Sequence, residues 1–187
     1  KIDHAKFAPY KVGLMTLDKK VYGVPFDSGV AGTFYRKDLL EAAGFTAKDL
    51  ENITWDRFIE IGEAVFKKTG VAWCAYDPTD GGLVRVMLQS AGSWYFTRDG
   101  KANLAGNKVM EAAVSTYAKL IASPATMKTS GWSEWVGSIN SGKAASISTG
   151  VWIIGSVKAE ATQSGKWAVA PIPRLNVAGS VNASNLG

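Results

Sequence analysis

The sequence predicts one α/β lobe, with a central sheet flanked by helices. Short apolar and β-branched runs alternate along the chain with longer segments whose apolar residues recur at helical spacing. The 187 residues suffice for one domain with a full core. The hydrophobic fraction of 47% and the charged fraction of 20% are typical of a globular domain.

The first part of the chain carries weaker signals than the rest. Apolar residues in 1–17 do not recur at a regular spacing, which predicts a loosely held connector. Apolar and polar residues tend to alternate over 20–25, which predicts a strand, and a turn is predicted at 27–29. A short strand is then predicted over 33–35, followed by a helix over 37–43.

The next region has clear start and stop signals. Thr54 is a favoured N-cap residue, and apolar residues follow it at helical spacing until Gly70 ends the helix. The apolar run 71–76 predicts a buried strand. A polar turn over 77–82 leads into a helix predicted over 83–90.

The second half continues the alternation of helices and strands. A small hairpin is predicted over 92–105, because residues 98–100 read Arg-Asp-Gly, a turn signal. Asn107 predicts the cap of a long helix that runs through Ile121. The remaining predicted elements are a helix over 132–139, a strand over 144–149, a helix from 151 to about 160, and a strand over 167–170.

Charge and rare residues exclude several classes of function. The net charge is +5, but lysine and arginine are spread along the chain, so nucleic-acid binding is not expected. Cys74 is the single cysteine, which excludes an internal disulfide and, within an apolar strand, predicts a buried structural thiol. His4 is the single histidine, which argues against a Ser–His–Asp triad or a histidine-based zinc site. No cofactor or metal site is predicted.

Covalent chemistry on a sugar would need two carboxylates facing each other across it. Such a pair could be drawn from Asp27, Asp77, Asp80 and Glu134, but nothing in the sequence marks any two of them. We therefore do not predict an enzyme. Two alternatives stay open: a fragment of a carbohydrate-active enzyme, and an aromatic-rich protein-interaction module without a small ligand.

The candidate ligand site lies where a strand runs into a helix at residues 141–152. This segment predicts a strand, a glycine turn at Gly150 and a helix whose first turn carries Trp152. Ligands of open α/β folds are held at such junctions. An indole suits the C–H face of a sugar, and short polar groups such as Ser148 suit its hydroxyls. On spacing alone, Trp152 could also be a core residue.

Four ordered stretches of the chain carry a family resemblance. They are residues 20–27 (KVYGVPFD), 34–40 (FYRKDLL), 54–58 (TWDRF) and 142–152 (GKAASISTGVW). In this order and with these gaps, they resemble the sugar-binding extracellular solute-binding proteins of bacterial ABC importers. The resemblance covers nearly the whole chain.

The resemblance implies one lobe of the periplasmic-binding-protein type II fold, with the first lobe largely missing. Residues 1–30 would be a connector and the first crossing segment, 31–175 the α/β lobe, and 176–187 a return crossing segment that we expect to be mobile. The family binds a sugar or oligosaccharide in the cleft between two lobes, and this chain would supply one wall.

The resemblance also implies partners and a location. The partners would be a carbohydrate and the permease subunits of an ABC transporter, with no nucleic acid. The location would be the periplasm, or the outer face of the cell membrane through a lipid anchor. Because an isolated lobe leaves its cleft face exposed, a homodimer through that face is a further prediction.

Site residues follow partly from the resemblance. In the family, an aromatic residue after the glycine turn lies under the sugar, which corresponds to Trp152 after Gly150. The loop before the helix at 83 and the first crossing segment also contribute in the family. These two segments supply the candidates Tyr76, Asp77 and Asp80, and Asp27, Ser28 and Gly29. Trp132 and Trp135 are added because they open a helix after a polar stretch.

Overall fold

The computed structural model describes residues 2–27 and 29–186. A five-stranded mixed sheet lies between helices on its two faces, and a two-stranded hairpin precedes it. This arrangement confirms the predicted α/β class with a central sheet flanked by helices.

Helices and strands alternate along most of the chain. In chain order, they are α1 (Pro9–Leu14), β1 (Thr16–Leu17), β2 (Lys20–Val21), β3 (Ala31–Arg36), α2 (Lys37–Ala42), α3 (Trp55–Thr69), β4 (Ala72–Tyr76), α4 (Gly82–Ser90), α5 (Lys108–Ala122), β5 (Thr126–Lys128), α6 (Gly131–Asn140), β6 (Ala144–Gly150), α7 (Ile154–Val157) and β7 (Trp167–Pro171). Short 3₁₀ helices lie at His4–Lys6, Ala47–Leu50, Val151–Ile153 and Ala161–Gln163.

The strand order brings the carboxyl ends of three strands to one edge of the sheet. The order is β5-β4-β6-β3-β7, in which β4 runs parallel to β5 and β6, whereas β3 runs antiparallel to β6 and β7. The carboxyl ends of β4, β5 and β6 therefore meet at the edge where β3 begins. In open α/β sheets, ligands bind at this edge.

Two apolar clusters cover the two faces of the sheet. The larger packs α3, α4 and α5 on one face and includes Trp55, Phe58 and Trp73, which are almost fully buried. The smaller packs α6 and α7 on the other face, around Phe34 and Ile147. Trp55 and Trp73 are therefore core residues.

Capping residues set the bounds of the two longest helices. The Thr54 hydroxyl accepts a hydrogen bond from the Arg57 N–H at 3.3 Å, and Gly70, at φ +72°, ends α3. The Asn107 side chain accepts from the first amides of α5, as predicted. Across the described residues, no helix combines the length and the apolar character needed to cross a membrane.

The first segment is more ordered than predicted. Residues 1–17 were expected to form a loose connector but contain α1, where Pro9 provides a first helical residue with a preset φ. The strand predicted over 20–25 is confined to β2, which pairs with β1 across Asp18 and Lys19 at positive φ. The strand is short because it pairs only with the two residues of β1 over this tight turn.

Three later expectations also differ from the structure. The hairpin predicted over 92–105 reduces to one bridge between Phe96 and Ala102. The helix predicted from 151 to about 160 is a 3₁₀ turn followed by α7, which ends at Val157. The sequence pattern missed β5, because three residues are too few to show a period.

The described part of the tail lies against the lobe. The Asn182 amide donates to the carbonyls of Ile53 and Ile172 at 2.8 and 3.0 Å. The Val181 N–H donates to the Ser90 carbonyl at 2.8 Å. The mobility expected for residues 176–187 stays a prediction, as do the three domain boundaries.

Candidate functional site

A cavity of about 330 Å³ opens at the carboxyl edge of the sheet. Its walls are the end of β4, the first turns of α4 and α6, and the junction after β6. Such a volume lies at the lower end of the range, roughly 300–1,000 Å³, of small-molecule sites. Predicted site residues that line it are Tyr76, Asp77, Asp80, Trp132, Trp135 and Trp152.

Three indoles form one side of this cavity, and we call them the indole cluster: Trp132, Trp135 and Trp152. Their ring centroids are separated by 5.6 Å (132 to 135), 5.8 Å (132 to 152) and 6.3 Å (135 to 152). Trp132 is 56% exposed and Trp152 is 42% exposed. The alternative that Trp152 is a core residue is therefore wrong.

The three indole N–H groups differ in what they bind. The Trp135 indole donates to the Ala75 carbonyl at 2.9 Å, and the Trp152 indole donates to the Leu186 carbonyl at 2.6 Å. The Trp132 indole has no acceptor among the residues that the structure describes. Two members of the cluster thus have orientations fixed by a hydrogen bond, whereas the Trp132 indole N–H is not used by any described residue.

Gly150 makes the orientation of Trp152 possible. A Cβ at this position would overlap both the Trp152 indole nitrogen and the Leu186 carbonyl oxygen. The hydrogen bond between those two groups therefore passes directly over the Gly150 backbone. Gly150 is buried behind the ring, so its predicted contact with ligand stays a prediction.

Residues 29–30 and Leu186 lie behind Trp152 and are joined by backbone hydrogen bonds. The Leu186 N–H donates to the Gly29 carbonyl at 2.7 Å, and the Val151 N–H donates to the Val30 carbonyl at 2.8 Å. Gly29 is buried in this network and does not line the cavity. The Val151 N–H, next to Gly150, is thus bonded within the protein.

The Asp77 carboxylate ties two walls of the cavity together. One oxygen accepts from the Thr79 amide and hydroxyl at 2.9 and 2.6 Å, and the other accepts from the Gly131 N–H at 2.8 Å. These hydrogen bonds hold the pKa of Asp77 below its usual range. The bond from the Thr79 hydroxyl has the largest effect, followed by those from the two N–H groups. Asp77 thereby positions the start of α6, which carries Trp132 and Trp135.

Asp80 is better placed to meet a ligand than Asp77. One carboxylate oxygen accepts from the Gly82 N–H at 2.8 Å, and the other has no donor among the described residues. The Tyr117 hydroxyl lies within hydrogen-bond distance of the Asp77 and Asp80 carbonyls, at 2.9 and 3.3 Å, which braces the turn. Burial first, and then the two carboxylates, raise the pKa of Tyr117 to about 12.

Tyr76 and Ser148 form the polar back of the cavity. The Ser148 N–H donates to the Tyr76 hydroxyl oxygen at 3.3 Å, and the Ser148 hydroxyl lies 2.9 Å from that of Thr33. Burial raises the pKa of Tyr76, so its hydroxyl stays neutral and keeps its proton. No described residue accepts that proton, which leaves it available to a ligand oxygen.

Two predicted site residues are not brought to this cavity. Asp27 is exposed and lies beside Lys6, Phe7 and Phe26 in a separate shallow depression. Ser28 lies outside the described residues. The ligand contacts proposed for both residues stay predictions.

Arg85 and Leu186 are among the lining residues that the sequence interpretation missed. Arg85 lies one turn into α4 and had no local signal, because its approach to the cavity depends on how α4 packs. Leu186 had no local signal, because it reaches the cavity only through the return of the tail to the lobe.

The described residues do not assemble the usual catalytic groups. They contain no cluster of three or more His, Cys, Asp or Glu side chains able to hold a metal ion. Cys74 is buried, and burial raises the pKa of its thiol to about 12. A glycosidase acid has a raised pKa, whereas the pKa of Asp77 is lowered.

Comparison with known proteins gives matches over the whole chain. Residues 1–187 match the family described as "Bacterial extracellular solute-binding protein". The chain is 52% identical over 187 residues to the lactose-binding protein of Rhizobium radiobacter, covering 100% of this chain and 44% of that protein. It is 28% identical over 155 residues to the arabinooligosaccharide-binding protein of Bacillus subtilis (strain 168), covering 80% of this chain and 35% of that protein.

Solved structures share the fold. The GacH receptor of Streptomyces glaucescens has been solved in the unliganded form and in complex with acarbose. It superposes with a TM-score of 0.83 at 23% identity, covering 99% of this chain and 47% of that chain. The binding protein of B. animalis subsp. lactis Bl-04 in complex with β-1,6-galactobiose gives a TM-score of 0.76 at 28% identity, covering 96% and 46%. The chain thus spans less than half the length of these relatives.

Proposed function

The chain belongs to the family of bacterial extracellular solute-binding proteins, and from this premise we propose that it supplies one wall of a cleft that binds a sugar or oligosaccharide for an ABC importer. Membership confirms the resemblance seen in the four motifs, and the superpositions confirm the predicted lobe fold. The matched relatives are binding proteins rather than enzymes, in agreement with the prediction of no covalent chemistry.

The observation that carries the proposal is the indole cluster at the carboxyl edge of the sheet. A sugar ring has an apolar C–H face, and burying that face on an indole contributes on the order of 1–2 kcal/mol. Trp132 and Trp152 offer half-exposed rings for such contacts. The Trp132 indole N–H, an Asp80 oxygen and the Tyr76 hydroxyl lie around the same cavity and suit sugar hydroxyls.

The affinity of this wall alone follows from these groups. Each satisfied hydrogen bond adds about 1 kcal/mol net. Two stacked faces and one or two hydrogen bonds together contribute about 3–6 kcal/mol, and the cost of association is set against this sum. A dissociation constant of about 1 mM, which corresponds to about −4 kcal/mol, is therefore the tightest binding expected of this wall alone. A second wall that closed over the sugar would add contacts and tighten binding.

A disaccharide of the lactose type is the first ligand to test. The 52% identity to a lactose-binding protein supports this choice. The B. animalis subsp. lactis structure with β-1,6-galactobiose concerns another galactose-containing disaccharide.

We further propose that residues 1–30 hold a connector and the first crossing segment, that 31–175 form the lobe, and that 176–187 are the return crossing segment, with the cleft closing about the two crossing segments. Adjacent hydrogen bonds of the return segment to residues 29 and 31 support this. The Ala31 N–H donates to the Ser184 carbonyl at 3.0 Å, and the Leu186 N–H donates to the Gly29 carbonyl at 2.7 Å. The chain thus enters and leaves the lobe at one point, beside Trp152.

Partners and location follow from the family. The family is described as extracellular, so its members act outside the cytoplasm. We propose that the permease subunits of an ABC transporter receive the sugar-loaded form and that the protein is associated with the cell membrane. A homodimer through the cleft face is a further proposal, supported by the exposed side chains of Val151, Trp152 and Ile154. Light scattering of a monomer at high concentration would contradict the homodimer.

Intrinsic tryptophan fluorescence tests the proposed function. The chain and its Trp152→Ala variant are titrated with mono- and disaccharides, lactose among them, to about ten times the expected millimolar constant. We expect a saturable change in the parent that the variant loses. Trp167→Phe, which removes an indole outside the cavity, is the matched control and should keep the response. No saturable change with any sugar would overturn the proposed function.

A further inference from the structure

We propose that residues 184–186, which we call the strap, position Trp152 for the sugar, and that sugar binding and docking of the strap stabilise each other. The link between them is the hydrogen bond from the Trp152 indole to the Leu186 carbonyl. This inference rests on the proposed function and concerns the regulation of the same site.

The strap lies along the entry of β3 and is held there by backbone hydrogen bonds. The Leu186 N–H donates to the Gly29 carbonyl at 2.7 Å, and the Ala31 N–H donates to the Ser184 carbonyl at 3.0 Å. The residues between these two bonds pair in an antiparallel bridge. The Leu186 and Ala31 amides are therefore protected only while the strap is docked.

A second set of hydrogen bonds ties the strap to α4. The Ser184 hydroxyl donates to the Val86 carbonyl at 2.9 Å and lies 3.3 Å from the side-chain oxygen of Gln89. The Asn185 N–H donates to that same Gln89 oxygen at 3.2 Å. All three strap residues are partly exposed. A partly exposed segment held by a few hydrogen bonds opens locally at a lower free-energy cost than the core.

Trp152 depends on the strap for its orientation. Its ring is 42% exposed, and its indole N–H donates to the Leu186 carbonyl at 2.6 Å. The indole nitrogen and this carbonyl both lie against Gly150, where a Cβ would overlap them. When the strap opens, the indole N–H loses the one acceptor that it has among the described residues. The ring is then no longer held in the orientation in which it lines the cavity.

A sugar beside the indole cluster distinguishes the docked strap from the open one. Trp152 and Leu186 both line that cavity, so its wall is complete only when the strap is docked. A ligand shifts an equilibrium toward the state with which it makes the more favourable contacts. Linkage requires the converse, so the docked strap raises the affinity for the sugar by the same factor.

Amide hydrogen exchange measured by nuclear magnetic resonance tests the coupling. Exchange of the Leu186 and Ala31 amides is measured without sugar and at saturating lactose, and binding is followed by tryptophan fluorescence. We expect saturating lactose to slow both amides about threefold to fivefold, the factor that corresponds to one hydrogen bond. The Gly70 N–H, which donates to the Phe66 carbonyl at the end of α3, is the internal reference and should not change.

Two variants separate the Trp152 link from a general loosening of the strap. Trp152→Phe keeps an aromatic face and removes the indole donor, whereas Ser184→Ala removes the hydroxyl bonds to α4 and lines no part of the cavity. Without sugar, both variants should exchange the two strap amides about threefold to fivefold faster than the parent. Lactose should still slow these amides threefold to fivefold in Ser184→Ala, but by less than about twofold in Trp152→Phe.

The outcomes distinguish the coupling from the proposed function. Saturable binding of lactose to the parent without slower exchange of the strap amides would overturn the coupling alone. The same holds if sugar-free Trp152→Phe exchanges these amides at the parent rate, or if lactose slows them as much in Trp152→Phe as in the parent. No saturable binding of any sugar to the parent would overturn the proposed function and this inference with it.

Discussion

Replacement of Gly150 by alanine should destabilise the lobe by displacing Trp152. The backbone of Gly150, at φ −66° and ψ 152°, is open to any residue, so no conformational strain is expected. The added methyl group would instead overlap the Trp152 indole nitrogen and the Leu186 carbonyl oxygen. These two groups form a 2.6 Å hydrogen bond, so the methyl group cannot be accommodated without separating them.

The expected cost has two parts. Loss of the indole-to-carbonyl hydrogen bond costs about 1 kcal/mol net. Displacement of packed groups by an inserted methyl group costs about 1–3 kcal/mol. We therefore expect Gly150→Ala to lower the free energy of unfolding by about 2–4 kcal/mol, a large part of the roughly 5–15 kcal/mol typical of a domain.

Urea denaturation followed by circular dichroism measures this change. The midpoint should fall with little change in the m-value, because the surface exposed on unfolding is the same. Gly155→Ala is the matched control, because a Cβ there meets nothing within 4 Å. It should shift stability by less than about 1 kcal/mol, in the stabilising direction. If both variants have the same midpoint, Gly150 does not hold Trp152 in place.

Three other perturbations have defined outcomes. Gly62→Ala places a methyl group against the buried Trp73 ring, so the free energy of unfolding should fall by about 1–3 kcal/mol in urea denaturation; an unchanged midpoint would contradict this contact. The lowered pKa of Asp77 means that its stabilisation is present above the ordinary value of 3.8 and is lost as the pH falls through the lower folded value. Thermal melts between neutral pH and pH of about 3 should therefore lose less stability in Asp77→Asn than in the parent, and parallel curves would count against the Gly131 contact. Cys74 should be unreactive toward a thiol reagent at about pH 8 until urea unfolds the chain, because burial raises its pKa to about 12; rapid labelling of the native chain would refute this.

The fold could be predicted wherever a local signal specified an element. The cap at Thr54 and the glycine at position 70 bound α3, and the cap at Asn107 begins α5, as the sequence indicated. The pairing of β1 with β2 and the three residues of β5 depend on neighbours that the sequence pattern does not specify. Short elements with few local signals were therefore missed or wrongly extended.

The candidate site divides in the same way. Trp132, Trp135 and Trp152 were expected at a cleft because they follow strand ends or open helices, and the structure gathers them around one cavity. Their contact with a ligand stays a prediction. Arg85 and Leu186 were missed because a residue's proximity to Trp152 depends on how α4 and the tail pack, which single-residue patterns do not report.

The account rests on the claim that a sugar binds against the indole cluster. Nuclear magnetic resonance of the indole N–H groups tests it directly, since each of the seven tryptophans gives one signal. The signals are assigned by single Trp→Phe variants and followed during titration with lactose. Because binding of about millimolar strength shifts signals in fast exchange, the half-cleft is sufficient for the experiment.

We expect the signals of Trp132, Trp135 and Trp152 to move with one common dissociation constant. The signals of Trp55 and Trp73, which are almost fully buried in the core, should stay fixed. Two results would contradict a sugar site at this edge of the sheet. One is that the core signals move while those of the indole cluster stay fixed. The other is that no signal moves at sugar concentrations well above a millimolar dissociation constant.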